Sequence, residues 1–544
     1  MADKLANMHQ EKRLAGRTAA RSARRGVAGA ALALALALPA LRSVASAKPA
    51  NGRNLASTFA ERCRVLETGA LGSKSIAACG KGTSRELRAA LLVGWNEQQR
   101  FAFSDAERIA VAWGLAPRET AARRVSGHDA RYDDDVSRPI LASIYSLPSS
   151  LIAPEKAREF LSALVRATTP ERTVLVLVDP AAERVLAPIA IRSDRRVRLL
   201  PSFGRAYSPW PRDPFSFARR ADGGVTLVLR PNLQRGREED ANLARALLQT
   251  LPKDLDRSWR SPTWQVAAVP FHNGQILLTP DAAWITLHAL EPAILNKLGL
   301  DRVPVESFGS TEGIDRYLAA SRAAANDLAS LVGRPVRFAH PLPENGELTK
   351  RVETLQRIGG GAGVDLDSIA TLLPPTQRGK PRALVGDLAA GADLLTALSA
   401  EEANRFARGY DLAGPWESLR ARLTAGARQS GLGPFLDLVA EHLAAQGFEV
   451  VRLPLLEIPY TTLVDSRGLP DGGTFLVGWN NAVLETRGSQ VHAEAFESLL
   501  ANGDRLAIAA YAAAGVKLTL LPALPESVLR GGGYRCASNH LRKR

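Results

Sequence analysis

Three short segments place groups capable of chemistry beside constrained or glycine-rich backbone. Near the end of the chain, Gly531-Gly532-Gly533-Tyr534-Arg535-Cys536-Ala537-Ser538 sets a cysteine just beyond three successive glycines. Glycine lets backbone approach a ligand closely and adopt φ > 0. Cys536, carried by such a loop with Arg535 beside it to favour the thiolate, is therefore a candidate nucleophile. The other reading of a lone thiol is a small buried apolar side chain. In Trp210-Pro211-Arg212-Asp213-Pro214-Phe215 two prolines fix the local φ angles, so Asp213 is held by the chain itself; the plainer reading is a turn with ion pairs. In Gly363-Val364-Asp365-Leu366-Asp367 an extended backbone would turn both carboxylates to one face. Paired carboxylates suit a cation, and a planar guanidinium with its five N–H donors fits them well. The ligand count is too low for calcium.

The elements that must position these groups begin at Pro139, where short β-branched runs alternate with amphipathic stretches of helix length, the pattern of an α/β domain. The runs predict strands at Thr173–Val178, Arg196–Leu200, Val225–Leu229, Gln265–Val269, Gln275–Thr279, Val336–Ala339, Ala383–Val385, Glu449–Leu453, Thr474–Val477, Ala482–Glu485 and Lys517–Leu521. Helices are predicted at Pro154–Ala167, Glu239–Leu251, Glu312–Leu331, Phe435–Gln446 and Glu494–Ala513. A doubly wound sheet, a barrel and a cyclic repeat of small sheets all fit this alternation. Gly359-Gly360-Gly361 is followed by Ala362 and Gly363 where a phosphate loop would need Lys and Ser or Thr, so nucleotide binding has no support.

Ahead of this domain, Arg13, Arg17, Arg21, Arg24 and Arg25 precede an apolar run from Val27 to Leu41 and the small residues Ala45-Ser46-Ala47. That order is a secretory signal over residues 1–47, and it implies export to the periplasm or beyond. The run is short for a bilayer span. The signal carries eight of the basic and two of the acidic residues, so the formal charge of +15 falls to +9 for the remainder. No basic block with interleaved aromatics appears, which speaks against nucleic acid as a partner. Of the three cysteines, Cys63 and Cys79 are close enough in sequence to pair in an oxidising compartment, leaving Cys536 unpaired. Residues 48–138 read as an N-terminal extension with a helical stretch near Ser84–Trp95, an Arg/Asp-rich end and no chemistry of their own.

Taken in order, the three chemical segments resemble the guanidino-group-modifying, or pentein, superfamily, most closely its branch of bacterial peptidyl-arginine deiminases and agmatine deiminases. The resemblance covers about residues 139–540. It is carried by Trp210–Asp213, by Phe475-Leu476-Val477-Gly478-Trp479-Asn480-Asn481-Ala482-Val483, and most specifically by the terminal Gly-Gly-Gly-x-x-Cys-x-Ser. It implies a fivefold pseudosymmetric β/α propeller over residues 139–544, with a helical insertion near 389–433. It implies hydrolysis of an arginine-type guanidinium to a ureido group and ammonia, without cofactor or metal. The partner would be a guanidinium-containing small molecule or a peptide or protein arginine, and export favours the latter. By motif, Cys536 would be the nucleophile, Asp213 and Asp367 the carboxylates that hold the guanidinium, and Asn481, Trp210 and Arg212 the pocket.

Two departures from the family pattern bear on activity. Asp365 stands where the family has its general acid/base histidine, and an aspartate of ordinary pKa is ionised at neutral pH and a poor proton donor. In Phe271-His272-Asn273-Gly274-Gln275, His272 replaces an acidic residue. Either His272 or a perturbed Asp365 carries the protons, or the pocket binds guanidinium without turning it over. An amidinotransferase using the same cysteine is a third reading, and would need an amine site that excludes water. His540, four residues past Cys536, is the other histidine near the thiol in sequence.

Overall fold

The computed structural model describes residues 130–543 apart from 133, 135, 194–195, 202–207, 230–239, most of 241–262, 268, 270–272, 301, 376–378, 465–472 and 531. The expected signal segment, nearly all of the expected extension, Cys63, Cys79, His272, Gly531 and most of the predicted helix Glu239–Leu251 lie outside the described residues.

Five sheets repeat one pairing rule: two strands antiparallel, the second of them parallel to a third. The triplets are Phe215–Arg220, Val225–Leu229 and Thr263–Val266; Leu277–Leu278, Ala283–Ile285 and Val336–Phe338; Ala370–Leu373, Arg382–Asp387 and Glu449–Pro454; Val483–Arg487, Gln490–Phe496 and Val516–Leu521. The fifth joins the two ends of the domain, because Ser538–Arg542 pairs antiparallel with Ile140–Ser146, which runs parallel to Thr173–Val178. Ala130–Tyr132 and Val197–Pro201 extend two of these sheets, and Leu456–Pro459 with Thr474–Val477 forms a separate hairpin.

Parallel neighbours need a crossover. Helices supply it at Pro154–Ala167, at Leu287–Leu298 with Thr311–Val332, and at Ala501–Ala513. Between Arg382–Asp387 and Glu449–Pro454 the crossover is four helices, Leu388–Thr396, Ala400–Gly409, Trp416–Gln429 and Leu432–Ala445. The local sequence explains these elements. Thr173–Val178 is an unbroken β-branched and aliphatic run whose last five residues are buried, as expected of a parallel strand covered on both faces. Asp179 then starts the next helix, accepting from the Ala181 and Ala182 amides with Pro180 in the first turn.

The core around the C-terminal loop mixes aromatics with a buried ion cluster. Tyr145, Phe160, Phe496 and Tyr534 pack mainly edge to face. Arg172, fully buried, pairs with Glu485 and reaches Glu494 at 2.7 Å. The Tyr534 hydroxyl donates to Glu494 at 2.8 Å and shares a 2.6 Å hydrogen bond with Tyr145. Tyr534, two residues before Cys536, is thus pinned from two sides.

Three local expectations are corrected. The predicted helix Glu494–Ala513 is instead the end of strand Gln490–Phe496 followed by helix Ala501–Ala513. Glu494 is buried against an arginine 322 residues away. The predicted strand Gln275–Thr279 begins as a short 3-10 turn, Asn273–Gln275, and only Leu277–Leu278 pairs. The stretch expected to be extended at 363–367 breaks at Asp365, which precedes the single turn Leu366–Ile369. No helix among the described residues is long and apolar enough to cross a membrane.

Candidate active site

Each of the five sheets is entered through a short segment just before its first antiparallel strand, and those segments carry the candidate residues. Asp213 precedes Phe215–Arg220, Asn273–Gln275 precedes Leu277–Leu278, and Asp365 to Asp367 precede Ala370–Leu373. Asn481 precedes Val483–Arg487, and Cys536 precedes Ser538–Arg542. Equivalent positions in five like units are brought to one place although the chain separates them widely.

The meeting is direct. The Asn481 side chain donates to Cys536 Sγ at 3.3 Å and accepts from the Cys536 amide at 3.1 Å. The two carboxylate oxygens of Asp367 lie 4.0 and 3.9 Å from the sulfur. Asp365 also arrives, since its donor atom and those of Asp367 and Cys536 all lie within 4.8 Å of one another. That geometry would suit a cation. Gln275 donates to Asp365 Oδ1 at 2.8 Å while its own oxygen accepts from Thr286 at 2.9 Å, which fixes the amide's orientation. Gly274 makes room here, because a Cβ would stand 2.5 Å from Asp365 Oδ2.

The glycines of the C-terminal loop work by close approach. Neither Gly532 nor Gly533 has a positive φ, contrary to the expectation from sequence. A Cβ on Gly533 would meet Asn481 Cβ at 2.5 Å, and one on Gly532 would meet Trp210 Nε1 at 2.0 Å. Trp210 itself is held by a 2.9 Å hydrogen bond to Ser527, so it cannot retreat freely. Gly532→Ala is therefore expected to cost about 1–3 kcal/mol through overpacking, measured by urea unfolding, and to displace the cysteine it leads to.

Electrostatics overturn the expectation about Arg535. Its guanidinium turns to Asp367 at 2.6 Å, to Asp134 at 3.0 Å and to the Ile276 carbonyl at 2.9 Å. Burial, then the charges of Asp367, Asp365 and Asp213, push the Cys536 thiol well above its ordinary pKa, and only the Asn481 hydrogen bond pulls the other way. The thiol of the free protein is protonated at neutral pH. Burial also raises Asp367, against the pull of Arg535.

Arg212 serves as a bracket for the same loop. Its Nε donates to the carbonyls of Arg535 at 2.9 Å and Ser538 at 3.2 Å, and another nitrogen reaches Asp134 at 3.0 Å. Arg542 meets Asp134 at 3.1 Å. Burial disfavours the Asp134 charge, but Arg212, Arg535 and Arg542 together hold its carboxyl well below the usual range. Asp134 lies in the Arg/Asp-rich stretch where the sequence revealed no chemistry; its role depends on arginines up to 408 residues away, and no local signal announces it.

His540 is buried with its ring nitrogens bonded to the hydroxyls of Ser143 at 3.0 Å and Ser538 at 2.8 Å, and burial lowers its pKa well below the ordinary value. It is a neutral structural residue, occupied on both nitrogens. His272 lies outside the described residues.

No family model matches the chain, and no curated protein matches it. Solved structures similar to it include agmatine deiminases. That of C. jejuni is 12% identical, with a TM-score of 0.44, over 78% of this chain and 99% of its own. That of Enterococcus faecalis is 12% identical, with a TM-score of 0.45, over 78% of this chain and 100% of its own. Likenesses this remote carry no argument about activity, which has to come from the site.

Proposed function

We propose that this chain hydrolyses a guanidinium group at Cys536, giving a ureido product and ammonia. The observation that carries the reading is a buried thiol 3.9 Å from Asp367, on which the charges of Asp365 and Asp213 also act. A buried cation needs such partners. The five like sheets, closed by the pairing of Ser538–Arg542 with Ile140–Ser146, support reading the fold as a ring of five blades around the site.

The chemistry follows from the charges. A guanidinium entering against the acids brings positive charge beside the sulfur and lowers the thiol pKa. The thiol proton passes to Asp365, the sulfur attacks the guanidinium carbon, and an S–C bond forms. The C–N bond then breaks as ammonia leaves with the proton from Asp365. Water next adds to the carbon, giving one proton to Asp365; the S–C bond breaks as the remaining hydroxyl proton passes to the departing sulfur, which leaves a neutral ureido group and the thiol, and Asp365 releases its proton to solvent. Gln275, held by Thr286, orients Asp365 for these transfers. His272 is the alternative proton carrier, and the substrate is an arginine-type guanidinium, with peptide arginine favoured by the export signal.

Arg535 favours a second reading, in which the pocket binds guanidinium without turning it over, because Asp367 already holds an arginine of the chain. A colorimetric assay for ureido product on arginine, agmatine and an arginine peptide separates the two. Product from at least one is expected; no product from any, with arginine analogues still raising the melting temperature, leaves the binding role. Asp213→Asn is expected to weaken guanidinium binding about 10- to 100-fold, the worth of a charged hydrogen bond, read as KM or by calorimetry.

A further inference from the structure

We propose that Arg535 is a built-in guanidinium, a positioning residue that occupies the Asp367 carboxylate as an arginine ligand would. This rests on reading the acid cluster as a guanidinium site.

The observations are geometric. Arg535 is buried, and its two terminal nitrogens reach different carboxylates: Asp367 at 2.6 Å and Asp134 at 3.0 Å, with the Ile276 carbonyl at 2.9 Å completing a planar fork. The fork needs guanidinium shape; a lysine ammonium could not span those partners. Its backbone is fixed as firmly as its side chain, since Arg212 holds the Arg535 carbonyl at 2.9 Å and the Arg535 amide donates to Asn481 at 3.2 Å. Asp367 is thereby kept against the sulfur, with one of its oxygens already bonded to a cation from the chain. An incoming guanidinium would meet that cation if it sought Asp367 edge-on, and like charges at that distance repel. The specificity that follows is for one guanidinium, with no place for a second cationic group near the sulfur.

The test is chemical rescue in a Cys536→Ser background, where no turnover intervenes. Arg535→Ala removes the fork and leaves a guanidinium-shaped hole between Asp367 and Asp134. Guanidinium at millimolar concentration, far below its denaturing range, is expected to raise the melting temperature of this variant by about 2 °C more than that of its parent. Ammonium or tetramethylammonium at the same ionic strength is expected to give no such gain, and Arg535→Lys none either. Refolding yield is read alongside melting, so a variant that folds only with guanidinium present is the expected result in stronger form. Overturning results are an Arg535→Ala protein that responds to guanidinium no more than its parent, one that ammonium rescues equally, or one insoluble with and without guanidinium. A parent that ignores guanidinium while Arg535→Ala responds would leave this proposal standing and remove the active-site reading; the reverse pattern would do the opposite.

Discussion

Cys536→Ser is expected to lower guanidinium hydrolysis by at least about 10⁴-fold, the scale on which nucleophile removal acts in covalent catalysis, while leaving binding of an arginine analogue intact. The substitution is nearly isosteric, and its partners stay in place: Asn481 at 3.3 Å can donate to an oxygen as to sulfur, and Asp367 does not depend on the thiol for its charge partner. A serine among three carboxylates has no base strong enough to ionise it. The same electrostatics set the pH dependence of the wild type. Because burial and the acids raise the thiol pKa, the neutral thiol stabilises the fold below the ordinary cysteine pKa, and this contribution is lost as pH rises through the higher folded value. Alkylation of Cys536 by iodoacetamide in the free protein should therefore need more alkaline solution than an ordinary cysteine. Adding a guanidinium ligand should move that midpoint downward, about one pH unit for each 1.4 kcal/mol of attraction between cation and thiolate. An unmoved midpoint in the presence of bound ligand would contradict contact between the two.

The second large effect is expected from Asp367→Asn. The carboxylate is buried and bonded to Arg535 at 2.6 Å, so its removal strands part of a buried guanidinium. Breaking a buried pair costs roughly 3–5 kcal/mol, and here the low end, about 3 kcal/mol, is expected because Asp134 still holds the other arginine nitrogen. Urea unfolding at neutral pH reads it. In the same variant the thiol loses the nearest of its negative neighbours, so its alkylation midpoint should fall even as turnover is lost. Stability and thiol reactivity moving in these opposite senses would mark Asp367 as the link between the arginine and the sulfur. A variant with wild-type stability would show that the Arg535–Asp367 pair contributes little.

What the sequence made legible followed from local pattern. Thr173–Val178 and Pro154–Ala167 match the predicted elements residue for residue, because a β-branched run and an amphipathic stretch after proline need no distant partner to be read. Cys536, Asp213, Asp367 and Asn481 were likewise picked out by their segments, and the structure brings them together. Three things escaped. Arg535 looked like a neighbour that would ionise the thiol, yet a side chain's direction is decided by partners 168 and 401 residues away. Asp134 had no motif at all. The glycine loop reads as one that offers positive φ and close approach to a ligand, whereas Gly532 and Gly533 are required by the bulk of Trp210 and Asn481 against them. Arg212, expected in the pocket, holds the backbone on either side of Cys536.

The central claim is that the sulfur at position 536 bonds to the carbon of a guanidinium drawn to it by the surrounding acids. Acid quenching during incubation with arginine, agmatine or an arginine peptide, followed by mass spectrometry of the C-terminal peptide, tests it most directly. An amidino-type adduct on Cys536 that decays as ureido product accumulates is the expected result. Saturating ligand with an unmodified Cys536 and no product would contradict it.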